Sequence, residues 1–260
     1  MVREGSQPKS RNNGDRPSGS ARFGTLYVVS TPIGNPDDLT VRALRILKTV
    51  ALIASEDPVV TQTLLAHHRA TGTVTSYGPR NRDEKIAILL NRLKNGCHVA
   101  LVSDCGTPVI YDPGCRLIQE AHRAGIPVRS VPGPSALTAA VAISGYSGDS
   151  VLFEGHLPRL KTSLTKFCSG LRNERRTVVV FMASESIAPM LIALARTLPT
   201  RRVTIAQNLT KSGEKTLEGT PSTLLKHVRR SPKADTVTVV IEGLSSHRRP
   251  TRRSGHSSPA

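Results

Sequence analysis

The chain has 260 residues, of which 38% are hydrophobic and 3% aromatic, with no Trp; this length suits about two domains, whose cores must rest on Val, Ile, Leu and Ala. Its 36 Lys and Arg against 19 Asp and Glu give a formal charge of +17, which speaks to partners rather than fold and makes a polyanion such as RNA the first candidate. No apolar run approaches the ~20 residues of a membrane helix, and Cys97, Cys105, Cys115 and Cys168 form no CxxC unit and join no His cluster, so neither a membrane span nor a zinc site is expected.

Residues 1–22 carry almost no apolar side chains and cannot offset their ordering entropy by burial. The same holds for residues 245–260, with Arg248, Arg249, Arg252 and Arg253. Both read as disordered basic tails. Together they hold nine of the 36 basic residues and two of the 19 acidic ones, so the folded body is itself basic. The N-terminus lacks the apolar stretch of a signal peptide, and a cytoplasmic protein with reduced thiols is expected.

Between the tails, Thr25–Val29 reads as a strand, Asp38–Lys48 as a helix burying Ala43, Leu44 and Leu47, and Ala51–Ala54 as a second strand. A helical stretch near Val60–His68 follows. Glu84–Asn95 is the clearest helix, with Ile86, Leu89, Leu90 and Leu93 on one face and Gly96 just beyond its end. His98–Val102 is a strand, Pro113–Ala124 a helix stopped by Gly125, and Val128–Val131 a strand. Beyond Pro134 the predicted order is a helix at Ala136–Ile143, a strand at Thr177–Met182, a helix around Ile187, Met190, Leu191 and Leu194, a strand at Val203–Ala206, a helix at Pro221–Val228 and a strand at Thr236–Ile241. Alternating strands and helices imply an α/β protein with mainly parallel central sheets. The domain boundary is placed near Pro132–Pro134, giving domains 23–133 and 134–244.

Four loops then stand out by position. Ser30–Asn35 (STPIGN) follows the first strand and Ser55-Glu56-Asp57 the second. Ser103–Pro108 (SDCGTP) follows the strand ending at Val102, and Pro132–Ala136 (PGPSA) the strand ending at Val131. Ligands of parallel sheets bind outside the carboxyl ends of strands, and Gly and Pro allow close, rigid backbone approach. Taken singly, each loop is equally an ordinary tight turn. The chain has neither GxGxxG nor GxxxxGK[ST], so no pyrophosphate cradle is present. A nucleoside-like neutral or cationic ligand is expected, and Glu56, Asp57 and Asp104 would suit a sulfonium.

At these loops the sequence resembles the tetrapyrrole methylases, in particular the branch that methylates small-subunit ribosomal RNA. The resemblance rests on GTLYVVSTPIGNPDDLTVRALRILKTVALIASED (24–57), ALVSDCGTPVIYDPG (100–114) and AGIPVRSVPGPSALTAAVAISG (124–145), extended by FEGHLPR (153–159) and VVIEG (239–243). It implies S-adenosylmethionine (S-adenosyl-L-methionine) held between two α/β domains, a homodimer, and 2′-O-methylation of a cytidine ribose in 16S rRNA or the small ribosomal subunit. Carried over by position, the cofactor-facing residues are Pro32, Ile33, Gly34, Asn35, Asp104, Gly106, Thr107, Pro108, Asp112, Pro113, Gly114, Gly133, Pro134, Ser135 and Ala136. Read locally, Ser135 could equally cap the following helix, and Asp112 a helix starting at Pro113. Glu56 and Asp57 are the candidate catalytic carboxylates, with capping as their alternative, and Arg80 and Lys211 the candidate RNA contacts.

The sequence departs from the family pattern at Pro58-Val59, Gly78–Glu84, Phe181–Ile187 and Gln207-Asn208, all outside the cofactor loops. These departures keep two rivals open: a same-fold methyltransferase with another substrate, and a non-catalytic RNA-binding paralogue.

Overall fold

The computed structural model describes residues 23–79, 81–157, 161–228 and 236–244. Both predicted tails and Arg80 lie outside the described residues. Short, almost unbroken apolar runs make the first sheet: β1 (Leu26–Val29), β2 (Leu52–Ser55), β3 (Val74–Ser76), β4 (Val99–Val102) and β5 (Val128–Val131). All pair in parallel, in the order β3-β2-β4-β1-β5. Strands covered on both faces need no polar side, and β2 and β4 are buried at every position.

The crossovers are α1 (Val41–Thr49), α2 (Pro58–His67), α3 (Arg82–Lys94) and α4 (Cys115–Arg123). The two-residue period of the strands divides the core between the faces. Leu26, Val99 and Leu101 pack with Leu89, Leu93 and Leu117, whereas Val29, Ala100 and Val102 pack with Ala43, Leu47 and Leu65.

After α5 (Ala136–Ser144), the second sheet comprises β6 (Val151–His156), β7 (Thr177–Met182), β8 (Val203–Gln207), β9 (Lys215–Gly219) and β10 (Val237–Ile241). The helices α6 (Lys161–Gly170), α7 (Ser184–Thr197) and α8 (Pro221–Val228) complete this half. One face of β7, β8 and β10 packs under α7 through Ile187, Met190, Leu191 and Leu194. The other face packs on α5 and receives Ile33 from the first loop of the other half.

Here the expectation of a mainly parallel sheet is corrected. The order is β6-β7-β10-β8-β9, and only β6 with β7 is parallel; β10 runs antiparallel to both β7 and β8, as does β9 to β8. The sequence conceals this because a central strand buried on both faces is an apolar run whichever way it points. Helix α6 was also not predicted, although Leu164, Phe167 and Cys168 recur at helical spacing and pack into the core; the strands not predicted have weak patterns. β3 has three residues, β9 is an exposed edge, and β6 carries Glu154 and a register shift between Phe153 and His156.

Two helices, expected from Val60 and Glu84, start earlier, at Pro58 and Arg82, and two start later. Asp38 belongs to a single 3₁₀ turn, Pro36–Asp38, and α1 begins after Thr40, whose hydroxyl accepts from the Ala43 N–H at 3.1 Å. Leu44 is half-buried rather than buried. The helix expected from Pro113 begins at Cys115, after Gly114 at φ 139°. That backbone needs glycine, and a Cβ there would meet Leu101 Cδ2 at 2.9 Å. Asp112 is therefore not a helix cap.

The far end of the second sheet is held by one cation. Arg201, 9% exposed, donates from Nη1 to the carbonyls of Glu242 (2.9 Å) and Glu174 (3.3 Å), and from Nη2 to those of Arg172 (3.1 Å) and Leu171 (3.3 Å). It ties the segment before β7 to the end of β10.

Candidate functional site

The loops after β1, β2, β4 and β5 form one hydrogen-bonded rim. Thr31 donates its N–H to the Gly106 carbonyl at 2.9 Å and its hydroxyl to the Ser103 carbonyl at 3.0 Å. The Ser30 and Thr107 hydroxyls lie 2.9 Å apart, and Thr107 donates to the Pro134 carbonyl at 3.2 Å. The Asp57 N–H donates to Asp104 Oδ1 at 2.9 Å. Gly133 lets the fourth loop close on the first, since a Cβ there would stand 3.0 Å from Ser30 Cβ.

The second half clasps this rim. Thr210, in the loop between β8 and β9, accepts from the Asn35 N–H on its hydroxyl at 3.0 Å. A Cβ on Gly34 would lie 2.4 Å from Lys211 Cγ and 2.8 Å from the Leu209 carbonyl oxygen. Asn208 and Thr210 take positive φ, 52° and 63°, an uncommon conformation for side-chain-bearing residues and a costly one for β-branched Thr. Gly34→Ala is therefore expected to force the two loops apart and weaken cofactor binding by about tenfold or more, as a ~1.4 kcal/mol penalty implies. Calorimetric titration with S-adenosylmethionine measures it.

Between rim and clasp lies a cavity of about 420 Å³, within the range that holds a nucleoside-sized ligand. Ile33, Ile110, Met182, Ala206, Leu209 and Val237 give it an apolar wall; Glu56, Asp104 and Asp112 give it an acidic pole. Tyr111 stacks on His156, ring centroids 4.3 Å apart, and so joins the loop after β4 to β6. That loop is strained, with Val109 at φ 77° and Tyr111 at φ 59°. Strain of this kind persists where the surroundings over-determine the backbone, and it clusters at functional sites.

Burial pushes the Asp112 carboxyl up to about 8, helped by its hydrogen bond to Glu56 and by the charges of Glu56 and Asp104, against an opposing backbone N–H from Val109. Asp104 is also raised, chiefly by desolvation and further by the charges of Glu56 and Asp57, though the Asp57 N–H opposes the shift. Crowded carboxyls in a partly desolvated pocket resist full ionisation, and a cationic ligand relieves that crowding. Among the described residues, no group of three or more His, Cys, Asp or Glu side chains is arranged to hold a metal ion. The crowded carboxyls of Glu56, Asp104 and Asp112 suit an organic cation.

Of the fifteen positions put forward for the cofactor, Ile33, Asp104, Asp112, Ser135 and Ala136 line this cavity. Gly106, Thr107, Gly133 and Pro134 build the rim behind it, and Asn35 caps the 3₁₀ turn through Oδ1 to the Asp37 N–H at 3.1 Å. Pro32 and Gly34 face an adjoining cavity, while Pro108, Pro113 and Gly114 shape the strained loop. Ser135 holds the N-cap position of α5 with no side-chain capping bond. Of the two candidate catalytic carboxylates, Glu56 lines the cavity. Asp57 instead caps α2, its Oδ1 accepting from the Val59 N–H at 2.8 Å.

Sequence reasoning missed the wall from the second half: His156, Phe181, Met182, Ala183, Ala206 and Thr236–Thr238. The rule of strand carboxyl ends reaches β7 and β8. It misses β10, which offers its starting end because it runs the other way, Val237 pairing with both Met182 and Gln207.

Comparison with known proteins agrees with this architecture. The family model for Tetrapyrrole (Corrin/Porphyrin) Methylases matches residues 25–225. "Ribosomal RNA small subunit methyltransferase I" of Thermotoga maritima is 41% identical over 85% of this chain and 99% of its own. The protein of the same name from Xylella fastidiosa (strain Temecula1) is 43% identical over 79% of this chain and 76% of its own. Among solved structures, a cobalt precorrin-4 methyltransferase of cobalamin biosynthesis superposes with a TM-score of 0.64 at 20% identity, covering 88% of this chain and 98% of that one. Uroporphyrin-III C-methyl transferase from Thermus thermophilus, complexed with S-adenyl homocysteine, gives 0.58 at 20% identity, covering 84% and 97%.

Proposed function

The chain belongs to the tetrapyrrole (corrin/porphyrin) methylases, and within them to the ribosomal RNA small subunit methyltransferase I family; from that membership we propose that it transfers a methyl group from S-adenosylmethionine to the 2′-hydroxyl of a cytidine ribose in small-subunit (16S) rRNA. The supporting observation is the cavity itself, with its apolar wall and its pole of three carboxyls. When bound, S-adenosylmethionine supplies an electrophilic methyl on a sulfonium. Ile33, Met182, Ala206 and Val237 offer the surface for an adenine ring, and Glu56, Asp104 and Asp112 the counter-charge for the sulfonium and the amino group.

The chain's own contribution is positioning and proton acceptance. In-line displacement needs reacting atoms about 3–3.5 Å apart, which the hydrogen-bonded rim and the Thr210–Asn35 clasp hold rigid. A ribose hydroxyl is a weak nucleophile, and a base titrating near the working pH serves it best. Asp112, raised to about 8 beside Glu56, meets that condition and takes the hydroxyl proton. Asp57 is kept from this role by its capping bond.

Residues 23–133 and 134–244 act as the two domains of a cytoplasmic enzyme that pairs as a homodimer. Among the described residues, no helix is long and apolar enough to cross a membrane. To test the activity, the purified protein is incubated with labelled S-adenosylmethionine and small ribosomal subunits from a strain lacking the modification. Label is expected on a single cytidine ribose, and label on protein or on none of the RNA would refute the reading. With a formal charge of +17, RNA binding is expected to fall at least a hundredfold between low and moderate salt if about six phosphates are neutralised. Filter binding across a salt series measures the slope.

A further inference from the structure

A second cavity, of about 320 Å³, lies beside the cofactor cavity and shares Ile33, Asp104 and Cys105 with it. Nothing in the mechanism above uses it. Its long side is a stripe of α2, where Val60, Thr63, Leu64 and His67 recur at helical spacing. Pro32, Ile33 and Pro36 face that stripe across the cavity, and Lys211 closes one edge. The chamber thus has aliphatic patches on two sides, with the polar groups of Thr63, His67 and Asp104 between them and the Lys211 cation at its margin.

The Lys211 ammonium lies close enough to the shared wall to lower the Cys105 thiol pKa, against the larger upward push of desolvation. That thiol donates to the Ile33 carbonyl at 3.4 Å. Lys211 forms no salt bridge with any described residue. His67, by contrast, is held by Asp37 at 3.0 Å. Lys211 is therefore the cation in this chamber available to an incoming anion.

We propose that this second cavity is the pocket for the nucleotide being methylated, turned out of its RNA strand so that its base lies against the α2 stripe, its phosphate meets Lys211, and its ribose abuts the wall shared with the cofactor cavity. The inference rests on the methyltransferase reading and adds to it where the substrate sits. Geometry supports it. An acceptor hydroxyl must reach within about 3–3.5 Å of the transferred methyl, so its carrier must lie against a wall common to both sites. The other large cavity, around Arg172, Arg201 and Arg202, has no residue in common with the cofactor cavity. A chamber of 320 Å³ accepts one nucleoside and excludes a base pair, so the nucleotide must leave its stack, at a cost that is least for an already single-stranded base. Val60, Leu64, Pro32 and Pro36 offer the base apolar contact.

The test fills the chamber from its open side. Val60 is 42% exposed and Thr63 is exposed, so Val60→Trp and Thr63→Trp place an indole in the pocket without disturbing the core. Each is expected to keep calorimetric affinity for S-adenosylmethionine within twofold of the parent, which also reports folding. Methylation of small subunits is expected to fall about 100-fold, the scale at which misplacement of a reacting group is felt. Lys211→Ala is expected to raise the KM for RNA about tenfold with little change in kcat, and Lys211→Arg to restore it. An RNA fragment carrying fluorescent pyrrolo-cytosine at the mapped position should brighten with the parent and not with the Trp variants. Parent-like methylation and brightening by both Trp variants would overturn the pocket while leaving the methyltransferase standing. Failure of the parent to label rRNA would instead remove the reading on which the pocket rests.

Discussion

Replacing Asp112 by asparagine is expected to slow single-turnover methyl transfer by about 10²–10⁴-fold, the range attached to a positioned general base, while leaving the fold intact. The same substitution should remove a pH dependence of stability. Burial first, and Glu56 second, raise Asp112 from 3.8 to about 8 in the folded protein. Between those values the folded chain holds a proton that the unfolded chain has released, so stability falls as pH rises through the window. Below it the penalty vanishes. Asparagine has nothing to ionise, so the variant's melting temperature should gain on the parent's from pH 5 to pH 8.5.

Cofactor binding gives an independent reading of the same pair. A sulfonium favours the ionised carboxyls, so parent affinity for S-adenosylmethionine should climb towards pH 8 and level off above it. S-adenosylhomocysteine, which keeps the ammonium but has a neutral sulfur, should show a shallower climb, and Asp112→Asn should flatten the difference. Glu56 and Asp104 face Asp112 from the neighbouring loops, and Tyr111 and His156 line the same cavity; all four are retained in the variant, which isolates the contribution of Asp112. Equal pH profiles for the two ligands in the parent would show that the pair does not sense the sulfonium.

The largest loss of stability is expected at Arg201. Its guanidinium satisfies four carbonyl oxygens from two chain segments, one of them buried and three part-buried, and truncation to Ala leaves those acceptors without it. Each buried unsatisfied acceptor costs about 1–3 kcal/mol. Partial relaxation of the segments brings the expected total to about 3–5 kcal/mol, the scale of losing a partner from a buried charged network. Arg201→Lys should recover less than half, because a single ammonium cannot span the fork. Urea unfolding at neutral pH measures both. A loss below about 1 kcal/mol for Arg201→Ala would mean that the carbonyls find other donors.

Much of the first half was legible because its chemistry is local. A Gly/Pro-rich loop after a strand announces its position, and the apolar runs of β1, β2 and β4 mark the strands that place it. Hydrogen bonds such as Thr31 to Gly106 and Thr107 to Pro134 then bring the loops together. The second half was less legible. Strand direction leaves no mark on a fully buried run, so the reversal of β10 and its contribution of Thr236, Val237 and Thr238 had no local signature. Glu56 and Asp57 are adjacent in sequence and of one chemical type, and only geometry separates them. One faces the cavity and the other is spent on a helix N-terminus.

The reversed central strand carries a consequence for how the protein is made. β10 is the latest of the described strands in chain order, yet it sits between β7 and β8. A growing chain can assemble the whole parallel sheet early, from contacts among residues 26–131. The other wall stays open until residues 237–241 thread between two strands already synthesised. The ligand cavity therefore lacks the wall of Thr236, Val237 and Thr238 until this last described strand is in place.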